Sequence, residues 1–287
     1  MSAAATGPAH PRRHRRAVPP TWVTVGPFVT AVLGLSATQF LPELLPGSGS
    51  GRPWLAGATT LLGGGLAPTW ALLLAGTITI GWRPLRRRIA DSLDPRGPAS
   101  LYLTSLALPP AVLLTTTILQ QQPPGTPGVD LPTLLLPVVV VAPVFALAEQ
   151  LGWRVWLQTE LQRRFSVLPA GLGVGLVWAA FHLPLLTTDH GTVHAELPLG
   201  PYTALVVSFS LVLAAVFNLA RGRVLPAVVA HVGFNAAMQL LLPATPDARG
   251  GFLLTAAALF LLTALALTGS TRTSRRRRRA PNRGTRG

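Results

Sequence analysis

The 287 residues contain no cysteine and no lysine, and all 24 basic residues are arginine. The first absence excludes disulfides, thiolate metal sites and a cysteine nucleophile. The second, beside abundant Ala, Gly, Pro and Arg, reflects a compositional bias and carries little functional information. Charge is scarce as well, at 11% of residues against about 25% in ordinary soluble domains. What the chain has instead is apolar sequence: 49% of it is hydrophobic. Several runs approach or exceed the roughly 20 residues needed to cross a bilayer as helix. A soluble fold could not cover so many of them. The sequence therefore predicts an all-α, polytopic transmembrane helical bundle, a multi-pass protein of the cell membrane.

A net charge of +15 would suggest nucleic acid if it were spread over a face. Here the arginines sit in short connectors and at the two ends, so nucleic acid is excluded as a partner and a bilayer with anionic headgroups is expected. Residues 1–20 form a basic, Pro-rich arm expected to be disordered. Residues 21–270 form the transmembrane domain, with a motif-bearing core at about 131–242, and 271–287 an Arg-rich disordered tail. About eight spans are expected, near 22–41, 54–80, 100–119, 131–148, 168–186, 202–219, 224–242 and 252–267. The first lacks a small-residue cleavage pattern and is read as a retained span. Pro109 and Pro110 are expected to kink the third, and the fourth continues as an amphipathic extension to about Phe165. Residues 83–99, with Arg86, Arg87 and Arg88, read as a connector lying on headgroups. A cytoplasmic N-terminus places every arginine except Arg52 and Arg249 on one side, so both termini are predicted to be cytoplasmic.

Three polar groups interrupt the apolar runs of the core: 149–154 (Glu-Gln-Leu-Gly-Trp-Arg), 178–182 (Trp-Ala-Ala-Phe-His) and 231–235 (His-Val-Gly-Phe-Asn). Glu149 is the only carboxylate within a long apolar run, and His182 and His231 are the only histidines there. Ionisable groups are expensive in lipid and ordinarily face a bundle interior, where they mark function. Three of them on neighbouring segments read as one site. Glu149 suits a carboxylate that takes and returns a proton. Trp178 and His182 are four apart, so the indole can wall the imidazole. Pro184 disfavours helix at Leu183 and loosens the chain just after the histidine. His231 and Asn235, again four apart, can present two hydrogen bonds to a developing oxyanion. Gln150 and Arg154 share a face, and Arg154 reads as an interfacial anchor, tied to Gln150 or reaching lipid phosphate. His190 and His194, near Asp189 and Glu196, have a metal-like spacing but read as solvated loop. Gly171, Gly173 and Gly175 read as close helix packing rather than a nucleotide loop, since no strand precedes them.

Together the three motifs resemble the intramembrane endopeptidases that include the CAAX prenyl proteases and bacteriocin-processing or self-immunity proteins (the CPBP, or Abi, family). That family's pattern is E-E-x3-R, F-x3-H and H-x3-N on successive membrane helices. The chain departs from it twice, with Gln150 for the second glutamate and Trp178 for the phenylalanine. The aromatic change reads as mild. Gln150 removes a charge that would face Arg154 and so is expected to weaken the helix tie and reduce activity.

The resemblance implies that Glu149 and His182 activate water for attack on a peptide carbonyl, with His231 and Asn235 stabilising the oxyanion. Gln150, Arg154 and Trp178 are supporting residues, and the partner is a peptide or protein substrate, lipidated or not. No cofactor is required by this scheme. If a divalent metal such as zinc takes part, Glu149, His182 and His231 are its ligands, although Glu149 as ligand would leave no second carboxylate as base. Two other classes stay open: a non-catalytic immunity or scaffold protein of the same fold, and a proton-coupled transporter. The transporter is disfavoured because all the polar groups lie in one half of the chain rather than in an inverted repeat.

Overall fold

The structure, a computed structural model, describes residues 20–44, 53–121, 123, 137–187 and 196–279. Among these residues there is no β-strand, and the chain forms an all-α membrane bundle. That outcome follows from the solvent: in hydrocarbon a backbone N–H or C=O has no water to bond, so an apolar segment must satisfy its own backbone as helix.

In order, α1 is Thr21–Ala37, α2 Pro53–Thr59, α3 Ala67–Ile80, α4 Trp82–Ser92 and α5 Ala99–Gln120. Then come α6 Ala142–Gln150, α7 Val167–Phe181, α8 Leu183–Thr187, α9 Leu199–Leu219, α10 Leu225–Leu241 and α11 Pro246–Arg279. Among the described residues, four stretches are long and apolar enough to cross a membrane: Thr21–Phe40, Ala99–Gln120, Leu199–Leu219 and Pro246–Gly269. They coincide with the expected first, third, sixth and eighth spans. The expected second span is broken: Gly57–Gly65 and Ala67–Ile80 meet at 55°. The break falls on Gly63-Gly64-Gly65, where Gly64 leaves helical geometry (φ −88°, ψ −107°). The fifth and seventh expected spans correspond to α7 and α10, of 15 and 17 residues. At 1.5 Å per residue these are about 22 and 26 Å long, short of the hydrocarbon thickness. The fourth begins outside the described residues, as do residues 1–19 and the tail beyond Arg279. The helix α5 continues across Pro109 and Pro110, and α11 runs on to Arg279, into the arginine-rich tail.

The connector at 83–99 is more structured than its composition suggested. It forms α4, whose Leu85 is fully buried. Arg88 turns inward: it donates to Glu160 at 2.7 Å and lies over the Trp156 ring at 5.0 Å. Glu160 also accepts from Thr24 and from Arg163, each at 2.8 Å. One carboxylate thus ties α1, α4 and the end of the extended α6 segment together. The inward turn is explained by Glu160, a buried carboxylate whose other oxygen is already taken by Thr24 and Arg163.

The core follows from small residues. The helix α9 is the most enclosed, packed against α7, α10 and α11. A Cβ on Gly171 would stand 2.8 Å from that of Ala214, and one on Gly175 2.9 Å from the Val207 Cα. The expected close packing through these glycines is what brings α7 onto α9.

Candidate active site

The α6 segment carries the first motif and is wound unevenly. Around the regular turns of α6, Pro137–Val141 and Leu151–Gln158 take wider π-type winding, a distortion common at functional sites. Thr159 Oγ1 donates to the carbonyl of Arg154, five residues back, at 2.9 Å. Glu149 lies at the junction between regular and wide turns, 8% exposed. Two indoles meet its Oε2: Trp178 Nε1 at 2.7 Å and Trp153 Nε1 at 3.2 Å. Both donors fall on one oxygen, leaving Oε1 without a hydrogen bond from any described residue.

This finding revises two readings of the sequence. The tryptophan at 178 is no mild replacement for phenylalanine, because its N–H makes the shortest contact to the carboxylate. Trp153 was not singled out at all, although its i+4 spacing from Glu149 placed it on the same face.

His182 closes α7. The helix ends at Phe181, and His182 itself (φ −84°, ψ −6°) caps it before the chain restarts as α8, as the proline after Leu183 led one to expect. Ser36 of α1 donates to the freed Phe181 carbonyl at 2.5 Å, which fixes the end of the helix. The His182 Nδ1 is 2.8 Å from the Trp178 carbonyl oxygen, and Trp178, Phe181 and Tyr202 surround its ring with centroids 5.1 to 6.0 Å away. His231, on α10, meets Trp178 edge to face at 5.2 Å. Its Nδ1 lies 3.0 Å from Gln150 Nε2. Asn235, one turn on, is half-buried and makes no hydrogen bond to a described residue through its carboxamide.

Glu149, Trp178, His182, His231 and Asn235 line one cavity of about 590 Å³. Phe145, Phe181, Leu197, Phe234 and Met238 supply much of its apolar wall. Tyr202 and Arg249 also line it, and no motif had marked either one as part of the site. Arg249 pairs with Glu196 and donates to the Pro243 and Ala244 carbonyls. Asp189, His190 and His194 lie outside the described residues.

Arg154 is not an interfacial anchor. It is fully buried and satisfied internally. Its Nε donates to Gln150 Oε1 at 2.9 Å and Nη1 to Gln158 Oε1 at 2.7 Å; Ser210 accepts at its carbonyl (3.2 Å) and hydroxyl (3.0 Å). Ser210 Oγ in turn donates to the Gly171 carbonyl at 3.0 Å. The expected tie to Gln150 exists, at 2.9 Å. Gln158 was missed despite its i+4 position, and Ser210 left no trace in the sequence pattern.

Among the described residues no three His, Cys, Asp or Glu side chains are close enough to share one ion. Glu149, His182 and His231 as arranged do not form a ligand set.

Residues 131–237 match the family described as Type II CAAX prenyl endopeptidase Rce1-like. A curated relative, CAAX prenyl protease 2 of Methanococcus maripaludis, is 30% identical over 90 residues. The alignment covers 29% of this chain and 33% of the relative, so the chain spans about a third of the length of the protein it matches. The resemblance drawn from the three motifs is borne out over the core that carries them.

Proposed function

We propose that the chain is a membrane-embedded endopeptidase, as the match over residues 131–237 and the site within it suggest. The observation that supports this most is the shared cavity: Glu149, His182 and the His231–Asn235 pair, from three separate stretches of sequence, all border it. Water held between Glu149 Oε1 and His182 attacks the carbonyl carbon of a peptide bond and gives its proton to that pair. The oxygen that becomes an oxyanion accepts hydrogen bonds from His231 and Asn235. The tetrahedral intermediate collapses by breaking the C–N bond, and the same proton passes to the departing amine. Trp153 and Trp178 hold the carboxylate by one oxygen, so the other is aimed.

The substrate is a peptide or protein segment bearing an apolar group, lipidated in keeping with the relative's name, because much of the cavity wall is aromatic and aliphatic. The test is cleavage of a peptide library, with and without a C-terminal lipidated cysteine, by the purified protein in lipid nanodiscs. Wild type is expected to cleave, while Glu149→Ala and His182→Ala lose activity but keep their fold. Cleavage that survives both changes overturns the assignment.

A further inference from the structure

Among the residues that line the cavity, Arg249 is the only arginine. Backbone holds its guanidinium from one side: Nε donates to the Pro243 carbonyl at 3.1 Å and Nη2 to the Ala244 carbonyl at 3.2 Å. Those two bonds fix the group without help from a counter-ion. The charge is met by Glu196, paired through Nη1. The partners are unequal, since the arginine side chain is 8% exposed and the glutamate 61%. An exposed carboxylate gains little from a pair, so Glu196 can return to water at small cost. Arg249 has no such option, because a buried charge left alone is heavily penalised. Release of Glu196 would free both N–H groups of Nη1 beside the second N–H of Nη2, a fork that an incoming carboxylate can take with both oxygens.

The cavity runs along one face of α10 up to this arginine. His231, Asn235, Met238 and Leu242 all line it, at the three- and four-residue spacing of a single helix face. Pro243, which accepts from Arg249, follows directly. At 1.5 Å per residue, Leu242 lies about 10 Å beyond Asn235 and about 16 Å beyond His231. An extended peptide covers about 3.3 Å per residue, so about three to five residues bridge that gap. We propose that Arg249 is a specificity-determining residue that binds a carboxylate of the peptide substrate in place of Glu196, about three to five residues from the bond that is cut. A chain end and an acidic side chain present the same two oxygens, and either can supply them. The inference rests on the endopeptidase reading for the position of the cut, but the carboxylate site does not.

The test presents an apolar peptide library to the full-length protein in lipid nanodiscs in three matched forms: free C-terminal acid, C-terminal amide, and amide with one internal glutamate. Cleavage by wild type is read by mass spectrometry, and binding by retention of the same peptides on Glu149→Ala protein. The acid form should be favoured over the amide by about tenfold or more, through KM, as for a hydrogen bond to a charged group. A preference for the free acid alone assigns the carboxylate to the chain end, and an equal preference for the internal glutamate assigns it to a side chain. Arg249→Gln should abolish the preference, whereas Glu196→Gln, at an exposed position, should lower KM for the favoured form. A purely structural ion pair would cost stability in both variants and leave the ratio of acid to amide unmoved. Equal handling of all three forms by wild type overturns the proposal, even if Arg249→Gln does not fold, and leaves the endopeptidase reading standing where cleavage occurs. Preferential binding of a carboxylate form without any cleavage by wild type overturns the endopeptidase reading and leaves the carboxylate site standing.

Discussion

Glu149 is held by two indoles on one oxygen, and this geometry makes distinct predictions for each partner. Replacing Trp178 with phenylalanine, the family's own residue, removes the 2.7 Å donor and leaves the ring's packing. A hydrogen bond to a charged group contributes about 1.5–3 kcal/mol, so kcat should fall about tenfold or more, read in a peptide-cleavage assay, with the melting temperature little changed. Trp153→Phe should be milder, because its bond is longer at 3.2 Å. At this scale the sequence was informative wherever function lay within one helix. The pairs at four-residue spacing, Trp178 with His182 and His231 with Asn235, were legible because a helix puts such neighbours on one face. Ser210 and Tyr202 were not, since they reach the site from α9 across long stretches of chain.

Elements come together here through backbone that approaches backbone. A Cβ on Gly152, inside the first motif, would stand 2.5 Å from the Pro68 carbonyl oxygen, and one on Gly233, inside the third, 2.5 Å from that of Leu106. Rigid carbonyls cannot retreat like flexible side chains. Gly152→Ala and Gly233→Ala should each cost about 1–3 kcal/mol, seen as lower thermal midpoints in detergent. Gly34→Ala in α1 is the control, because a Cβ there meets nothing within 4 Å and alanine favours helix. The three-glycine break between α2 and α3 was legible as composition but not as a bend. Length alone made 54–80 one span, and nothing local says that the chain turns by 55°.

For the whole molecule, the Glu160 hub sets behaviour in acid. Glu160 lies past the apolar part of its segment. Burial alone would raise its carboxyl, but the bonds from Arg163, Arg88 and Thr24 together outweigh burial and hold it below its usual 4.5. A depressed folded-state value means that the stabilisation is complete above about pH 4.5 and fades as pH falls through the lower folded value. Wild type should therefore lose stability on acidification below that point. Glu160→Gln should be less stable by about 2 kcal/mol at neutral pH, with the two proteins converging in acid, followed by thermal melts across pH. The same hub shows why membrane topology was easier to read than packing. Hydropathy marks which segments are apolar, whereas the inward turn of Arg88 depends on a partner 72 residues away.

The neutral amide at position 150 also bears on biosynthesis. With it, the stretch from 149 to 154 carries one formal negative and one formal positive charge, which cancel. A second acid would leave a surplus charge in a segment that must leave the translocon sideways into lipid, where each central charge adds about 2.5–3.5 kcal/mol to the cost of insertion. A chain with glutamine there should enter the bilayer more readily than its Gln150→Glu counterpart, and a glycosylation-reporter insertion assay would measure the difference directly.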